Sequence, residues 1–423
     1  MSEDKRFYGW INLVGLMLVY GSICGTTTYA YGVFLPAMES AFGWSRSAIS
    51  GPYALFFIVG GLLGPLAGMA IERFGARRNI VLCNCVVVLG LLGMSQVSAI
   101  WHIHLFFGIM AGVGIAFGEF IPITTVINNW FIRKRSMAMG LLFTAGGLGG
   151  FFMPPLISAM IGNLGWRWAW VGLALFHLVV CVLGGGLIVR GRPEDVGQTP
   201  DGVVADPPRP AGGSKTRVRV YHTEKDWEVG QALRAPALWM ITSLFAIILF
   251  VLNMLSTHQV AYLQDLGYSP LAAATGLGMM LGFSIIGRLL SGLLGMRFEG
   301  RHLALFFLGC MGAGIVSLLH AGGMYAVYLY SAFTGIGFGG MLVLVPNMLG
   351  SFFGRTHYGR IIGWTTPLVT LTAAISPNLA GALYDATGRY TVPFAIGLLL
   401  IVIGMAIAVL LRPGAAPGNA RLT

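Results

Sequence analysis

Apolar residues recur along nearly the whole chain, from Trp10 to Leu411, in runs of about twenty or more that are separated by short polar turns. A helix rises about 1.5 Å per residue, so about twenty apolar residues cross about 30 Å of hydrocarbon. The runs read as about twelve membrane-crossing helices, at 10–36, 47–71, 79–98, 102–131, 136–162, 166–190, 236–263, 271–296, 302–321, 324–350, 358–384 and 390–411. Their length argues for helices rather than the short strands of a barrel. The first run is too long for a signal segment and lacks an Ala-x-Ala cleavage site, so it is expected to remain as a span.

One segment breaks this rhythm. Residues 191–234 are rich in Pro, Gly and charge, the composition of a linker. The expected organisation is therefore a six-helix half at 1–190, a linker at 191–234 and a second six-helix half at 235–423. The halves echo each other at an offset of about 222–224 residues. Gly68, Glu72, Arg73, Gly75, Arg77 and Arg78 join the second and third runs, while Gly292, Met296, Arg297, Gly300 and Arg301 join the eighth and ninth. Likewise Trp130 and Phe131 with Arg133, Lys134, Arg135 and Gly140 are matched by Phe352 and Phe353 with Arg355, Arg360 and Gly363. A parallel repeat of this kind is the mark of a rocking transporter with its site between the halves.

Composition supports the membrane assignment: 56% of residues are hydrophobic and 10% charged, with a mean hydropathy of +0.78. The net charge of +11 is a topology signal. With the N-terminus inside, Lys5, Arg6, Arg73, Arg77, Arg78, Arg133, Lys134, Arg135, Arg297, Arg301, Arg355, Arg360 and Arg412 all fall inside, against Arg46, Arg167 and Arg389 outside. An even span number then places both termini in the cytoplasm of a cell inner (plasma) membrane protein. No basic module lies outside the apolar runs, so nucleic acid is not an expected partner. The cysteines, Cys24, Cys83, Cys85, Cys181 and Cys310, sit in or at the ends of apolar runs and read as packing residues. His102 and His104 point different ways on one helix, and no metal site is expected. There is no phosphate-binding loop, no cofactor motif and no catalytic constellation, so an ATP-driven pump and an enzyme are both disfavoured. No obligate protein partner is expected.

Two charges stand deep in the apolar runs, Glu119 in one half and Arg288 in the other. A charge at bilayer depth costs at least about 2.5–3.5 kcal/mol and is normally kept for a function. Pro122, three residues after Glu119, removes a helix donor and frees the Gly118 carbonyl. Loss of water around a carboxyl at this depth disfavours its charge, so Glu119 is a candidate for proton exchange; the alternative is a hydrogen-bonded structural acid. Arg288 shares a helix face with Ser284 and Ser291. A guanidinium binds a carboxylate through two parallel hydrogen bonds, which suits a small organic anion; the alternative is an interhelical ion pair with Glu119.

The stretch from Gly68 to Arg78 resembles the inner-loop motif of the major facilitator superfamily, with Glu72 in place of its usual Asp, and the resemblance covers essentially the whole chain. Phe7-Tyr8-Gly9-Trp10 and the run from Trp130 to Gly140 resemble the two signatures of the monocarboxylate transporter family, in a bacterial-style form. The resemblance implies an all-α fold of twelve transmembrane helices. It also implies a latch at Gly68, Glu72, Arg73, Gly75, Arg77 and Arg78, asymmetric because Met296 replaces the acid in the second copy. Arg288 matches the substrate-pairing Arg of the eighth helix. Two proton-handling residues of the animal members are missing: Tyr29 stands where they place a Lys, and Ser284 where they place an Asp. Tyr29, Asn253, Ser284 and Phe333 are further candidates for the substrate cavity, and His258 for proton coupling. His177 reads as a satisfied interior histidine. The expected function is secondary transport of small monocarboxylates, lactate- or pyruvate-like, with a proton, by rocker-switch alternating access. An oxalate/formate-type anion exchanger or an efflux carrier of larger compounds are the alternatives on the same fold.

Overall fold

The computed structural model describes residues 7–44, 46–202, 221, 223, 226–268, 270–320 and 322–412. The middle of the linker, 203–220, and the terminal Lys5 and Arg6 lie outside the described residues.

Among the described residues every regular element is a helix. The first six runs become α1 (Gly9–Ile23) and α2 (Tyr31–Phe42); α3 (Arg46–Leu62) and α4 (Gly64–Phe74); α5 (Ala76–Ser95); α6 (Ile100–Ile103), α7 (Gly112–Gly118) and α8 (Phe120–Trp130); α9 (Arg135–Leu164); and α10 (Trp166–His177) with α11 (Gly186–Ile188). Turns of π-helix at Cys24–Thr28, His104–Ala111 and Leu178–Gly185 lie along three of these runs. After α12 (Val229–Arg234) come α13 (Pro236–Asp265), α14 (Pro270–Leu294), α15 (Gly300–Leu319), α16 (Met324–Phe353), α17 (Tyr358–Thr387) and α18 (Thr391–Leu410).

Among the described residues, ten helical stretches are long and apolar enough to cross a membrane, or eleven when the bent pair Gly51–Leu62 and Gly64–Phe74 is counted as one span. Twelve is not reached on this measure. The thirty-residue α17 is long enough but contains two prolines and is interspersed with hydroxyl residues and the charges Arg360 and Asp385.

The breaks within the early runs have local causes. Pro65 opens α4, and the axis bends by 52° at Leu63. Pro122 accompanies the break between α7 and α8, where Glu119 adopts φ −115° and ψ −108°, outside helical values.

The helices on either side of the linker meet mainly where α4 lies along α17 and where α9 lies along α14, with lesser contacts of α9 on α16 and α8 on α17. Small residues let these backbones touch. A Cβ on Gly64 would stand 2.8 Å from the Gly363 carbonyl oxygen, and one on Gly68 would stand 2.7 Å from that of Gly359. On the other pair, a Cβ on Gly140 would stand 2.8 Å from the Arg288 carbonyl oxygen and 3.0 Å from the Gly292 Cα.

Candidate functional site

Arg288 is held in the seam between α9 and α14, 3% exposed. Its Nη1 donates to the Phe143 carbonyl of α9 at 2.7 Å. The guanidinium fits because α9 carries glycine at 147, where a Cβ would stand 2.8 Å from Nη1. Its buried Nε has no hydrogen-bond partner. A buried guanidinium donor without an acceptor is costly in a protein interior; elsewhere on the group, the guanidinium hydrogen-bonds the Tyr29 side chain.

Glu119 stands at the α7/α8 break and is half-buried. Its Oε1 accepts from the Cys24 thiol at 3.5 Å. No ion pair joins Glu119 to Arg288 among the described residues. The two charges nevertheless border one region. Tyr20, Cys24 and Tyr29 lie within electrostatic reach of both. Phe120, next to Glu119 in the chain, has its ring 5.8 Å from Phe143 and 5.8 Å from Phe245 of α13. Tyr20 meets Phe143 edge-on at 5.3 Å. Tyr29 rests on Gly150, where a Cβ would stand 2.8 Å from its ring.

The carbonyl freed at Gly118 does not face a cavity unpaired: it accepts from Asn84 Nδ2 at 3.3 Å. Asn84 Oδ1 in turn meets His177 Nε2 at 3.1 Å, and His177 Nδ1 meets the hydroxyls of Ser22 at 3.0 Å and Thr26 at 3.1 Å. Asn84 Oδ1 can only accept, so His177 Nε2 carries a proton. The His177 cluster thus supports the helix break from behind.

The other sequence candidates fall less centrally. Ser284 is 1% exposed and donates to its own helix at the Leu281 carbonyl, 2.6 Å. Ser291 is buried with its hydroxyl unpartnered. Asn253 donates to Leu249 of its own helix at 2.8 Å. His258 ties α13 to its neighbours, with Nε2 2.9 Å from the Pro377 carbonyl and Nδ1 3.3 Å from the Tyr390 hydroxyl. Phe333 is 40% exposed, whereas Tyr330 is fully buried against Gln259.

The face from which the linker leaves the helices is sealed by polar contacts. Glu72 accepts from Arg360 at 3.2 Å and meets His357 at 2.9 Å. Arg355 reaches Glu194 at 3.1 Å and the Asn129 carbonyl at 3.4 Å. Asn128 donates to the Gly354 carbonyl at 3.2 Å, and Ser136 to the Ser291 carbonyl at 3.1 Å. Gly75 takes φ +83° between α4 and α5, a conformation that side chains disfavour. Arg77 donates to the Gly186 carbonyl at 3.1 Å, Arg73 lies over the Phe74 ring, and Arg78 is exposed. In the second copy of the motif Glu299 pairs with its own neighbour Arg301 at 2.8 Å.

Sequence reasoning missed Cys24, Phe143, Gly147 and Asn84. The closely spaced glycines at 146, 147, 149 and 150 and an Asn amid the apolar middle of a helix were the available signals.

Comparison with known proteins follows the same lines. The family model described as Major Facilitator Superfamily matches residues 17–330. Monocarboxylate transporter 13 of Bos taurus is 26% identical over 416 residues, covering 96% of this chain and 89% of the relative. Monocarboxylate transporter 2 of Homo sapiens is 24% identical over 413 residues, covering 90% and 81%. Both are animal proteins and lend no support to a bacterial-style form. Among solved structures, the proton:xylose symporter XylE bound to 6-bromo-6-deoxy-D-glucose superposes with a TM-score of 0.73 at 14% identity, covering 96% of each chain, a likeness of fold.

Proposed function

The chain belongs to the Major Facilitator Superfamily, and on that premise we propose that it carries small monocarboxylates, lactate- or pyruvate-like, across a membrane together with a proton. It is a transporter and not an enzyme. The observation that carries the substrate reading is Arg288: buried at the seam, bonded to the Phe143 carbonyl and to the Tyr29 side chain, with a buried Nε that lacks a partner. A carboxylate supplies two acceptor oxygens in the plane of the guanidinium, which is the complement this group lacks.

In this reading the halves 1–190 and 235–423 form twelve spans and rock about the seam, with 191–234 as a linker on the cytoplasmic side of the plasma or inner membrane. The sealed linker face, closed by Glu72, Arg360, His357, Arg355 and Glu194, corresponds to a carrier that opens outward. Its opening toward the cytoplasm requires those contacts and the Gly64 and Gly68 contacts to separate. Glu119 is the proton site, since it stands at a helix break at membrane depth and its carboxyl accepts from a thiol, a weak donor. Exchange of anions without a proton is the second reading. It is favoured by Ser284, which bonds its own helix and places no acid beside Arg288.

Uptake of radiolabelled mono- and dicarboxylates into proteoliposomes tests the substrate class. Saturable uptake of lactate or pyruvate above that of empty liposomes is expected. Uptake of dicarboxylates alone would overturn the assignment.

A further inference from the structure

Residues 191–234 have the composition of a free linker, yet the described residues at its two ends are bound to the helices, one end to each half. At the first end Gln198 Oε1 accepts from the Tyr8 amide at 2.9 Å. Asp201 Oδ2 accepts from the amides of Ile132 and Arg133, at 3.1 and 2.7 Å, in the turn between α8 and α9. At the second end Asp226 Oδ1 accepts from the Arg355 amide at 2.7 Å and Oδ2 from the Thr356 hydroxyl, in the turn between α16 and α17. Arg133 and Arg355 are equivalent positions of the repeat, so each half has this turn held by a linker carboxylate.

The second attachment is the more extensive. Carbonyls in the last turn of a helix lack intrahelical donors, and the linker supplies two at the end of α16. The Thr223 amide donates to the Ser351 carbonyl at 2.9 Å and the Trp227 amide to the Phe353 carbonyl at 3.1 Å. Trp227 is buried edge-on to Phe353. Gly354, at φ +86°, has no Cβ to collide with Asp226 Oδ1. Arg355, held through its amide by this end, reaches across to the first half. Its Nη2 donates to Glu194 on the first linker end at 3.1 Å, and its Nη1 to the Asn129 carbonyl at 3.4 Å. The repeat of the helices does not supply a charged closure twice: Glu72 pairs with Arg360, but the equivalent residues of the other copy are Met296 and Ala138.

We propose that the linker is a working part of the gate on its own face rather than a tether. The first end supplies the acid, Glu194, and the second end, through Asp226, is the positioning element that presents Arg355 to it. When that face opens, each end travels with its own half and the Glu194–Arg355 contact breaks. The balance between open and closed is therefore set in part from outside the membrane helices. This rests on the alternating-access reading and holds whichever acid is carried.

Access to the seam is read as the rate of maleimide labelling of Ser136→Cys in the purified full-length protein, against the same protein without that cysteine. Ser136 is buried on α9 and donates to the Ser291 carbonyl of α14. Glu194→Gln and Asp226→Ala are each expected to raise the rate about two- to fivefold, the range that a solvent-exposed ion pair supports. Their rises should not multiply in the double variant, because both act through Arg355, whereas those of Glu194→Gln and Glu72→Gln should multiply. Asp226→Ser serves if the Ala variant does not fold. Rises that multiply between Glu194→Gln and the Asp226 variant would overturn the positioning role of Asp226. No rise in either, with a rise in Glu72→Gln, would overturn the gate role of the linker and leave alternating access standing. No rise in any of the three would overturn both.

Discussion

Replacing Arg288 by Ala removes the guanidinium and leaves a bound carboxylate facing the Phe143 carbonyl. Truncating one member of a buried charge pair costs about 3–5 kcal/mol, because the other member stays desolvated without its partner. A transport site must open to water in each cycle, which favours the lower figure. About 3 kcal/mol corresponds to a loss of about 10²-fold in affinity. The fold should be affected much less. The variant loses the 2.7 Å bond to Phe143 and the bond to the Tyr29 side chain but also removes a buried, unpartnered Nε, effects of opposite sign and each on the order of 1–3 kcal/mol. Half-saturation for carboxylate counterflow in proteoliposomes and the melting temperature of the detergent-purified protein are the paired readouts. The expected result is a rise of about 10² in half-saturation with a melting temperature close to wild type. Unchanged half-saturation would refute the clamp. A collapse in melting temperature would recast Arg288 as a structural bridge between α9 and α14.

Three further substitutions probe other parts of the account. Glu119→Gln should keep counterflow of the carried acid but lose accumulation driven by a pH gradient, measured in the same vesicles. Gly64→Val should abolish transport, since a Cβ there already stands 2.8 Å from the Gly363 carbonyl oxygen and 2.9 Å from Thr366 Cβ; the linker face then cannot close, and a cysteine placed at Asn129 should label faster from that side. Asn84→Leu should lower the melting temperature, because it orphans the Gly118 carbonyl and His177 Nε2, at about 1–3 kcal/mol.

Much of the architecture was legible because membrane helices announce themselves by length and hydropathy. The run expected at 136–162 is α9 at Arg135–Leu164, and that expected at 302–321 is α15 at Gly300–Leu319. A spacing of four puts Gly60, Gly64 and Gly68 on one helix face, the pattern of a close helix contact, and Gly64 and Gly68 do meet α17. The π-helical turns were not legible, since composition does not distinguish an α turn from a π turn in an apolar run. The partners of polar groups were also hidden. Pro122 revealed that the Gly118 carbonyl would be freed but not that Asn84 of another helix accepts the task. Arg288 and Glu119 were each conspicuous, yet the carbonyl of Phe143 and the thiol of Cys24 that they meet carry no signal in a single sequence. Ser284 shared a helical face with Arg288 by spacing but bonds its own backbone, because a hydroxyl in a helix can reach the carbonyl of the preceding turn.

The central claim is that this protein couples carboxylate movement to a proton through two membrane-depth charges. The most direct test is accumulation of radiolabelled substrate acid in proteoliposomes with the interior alkaline. The account predicts accumulation above the external concentration that collapses when a protonophore is added. Uptake that only equilibrates, with no response to the gradient or to the protonophore, would contradict it.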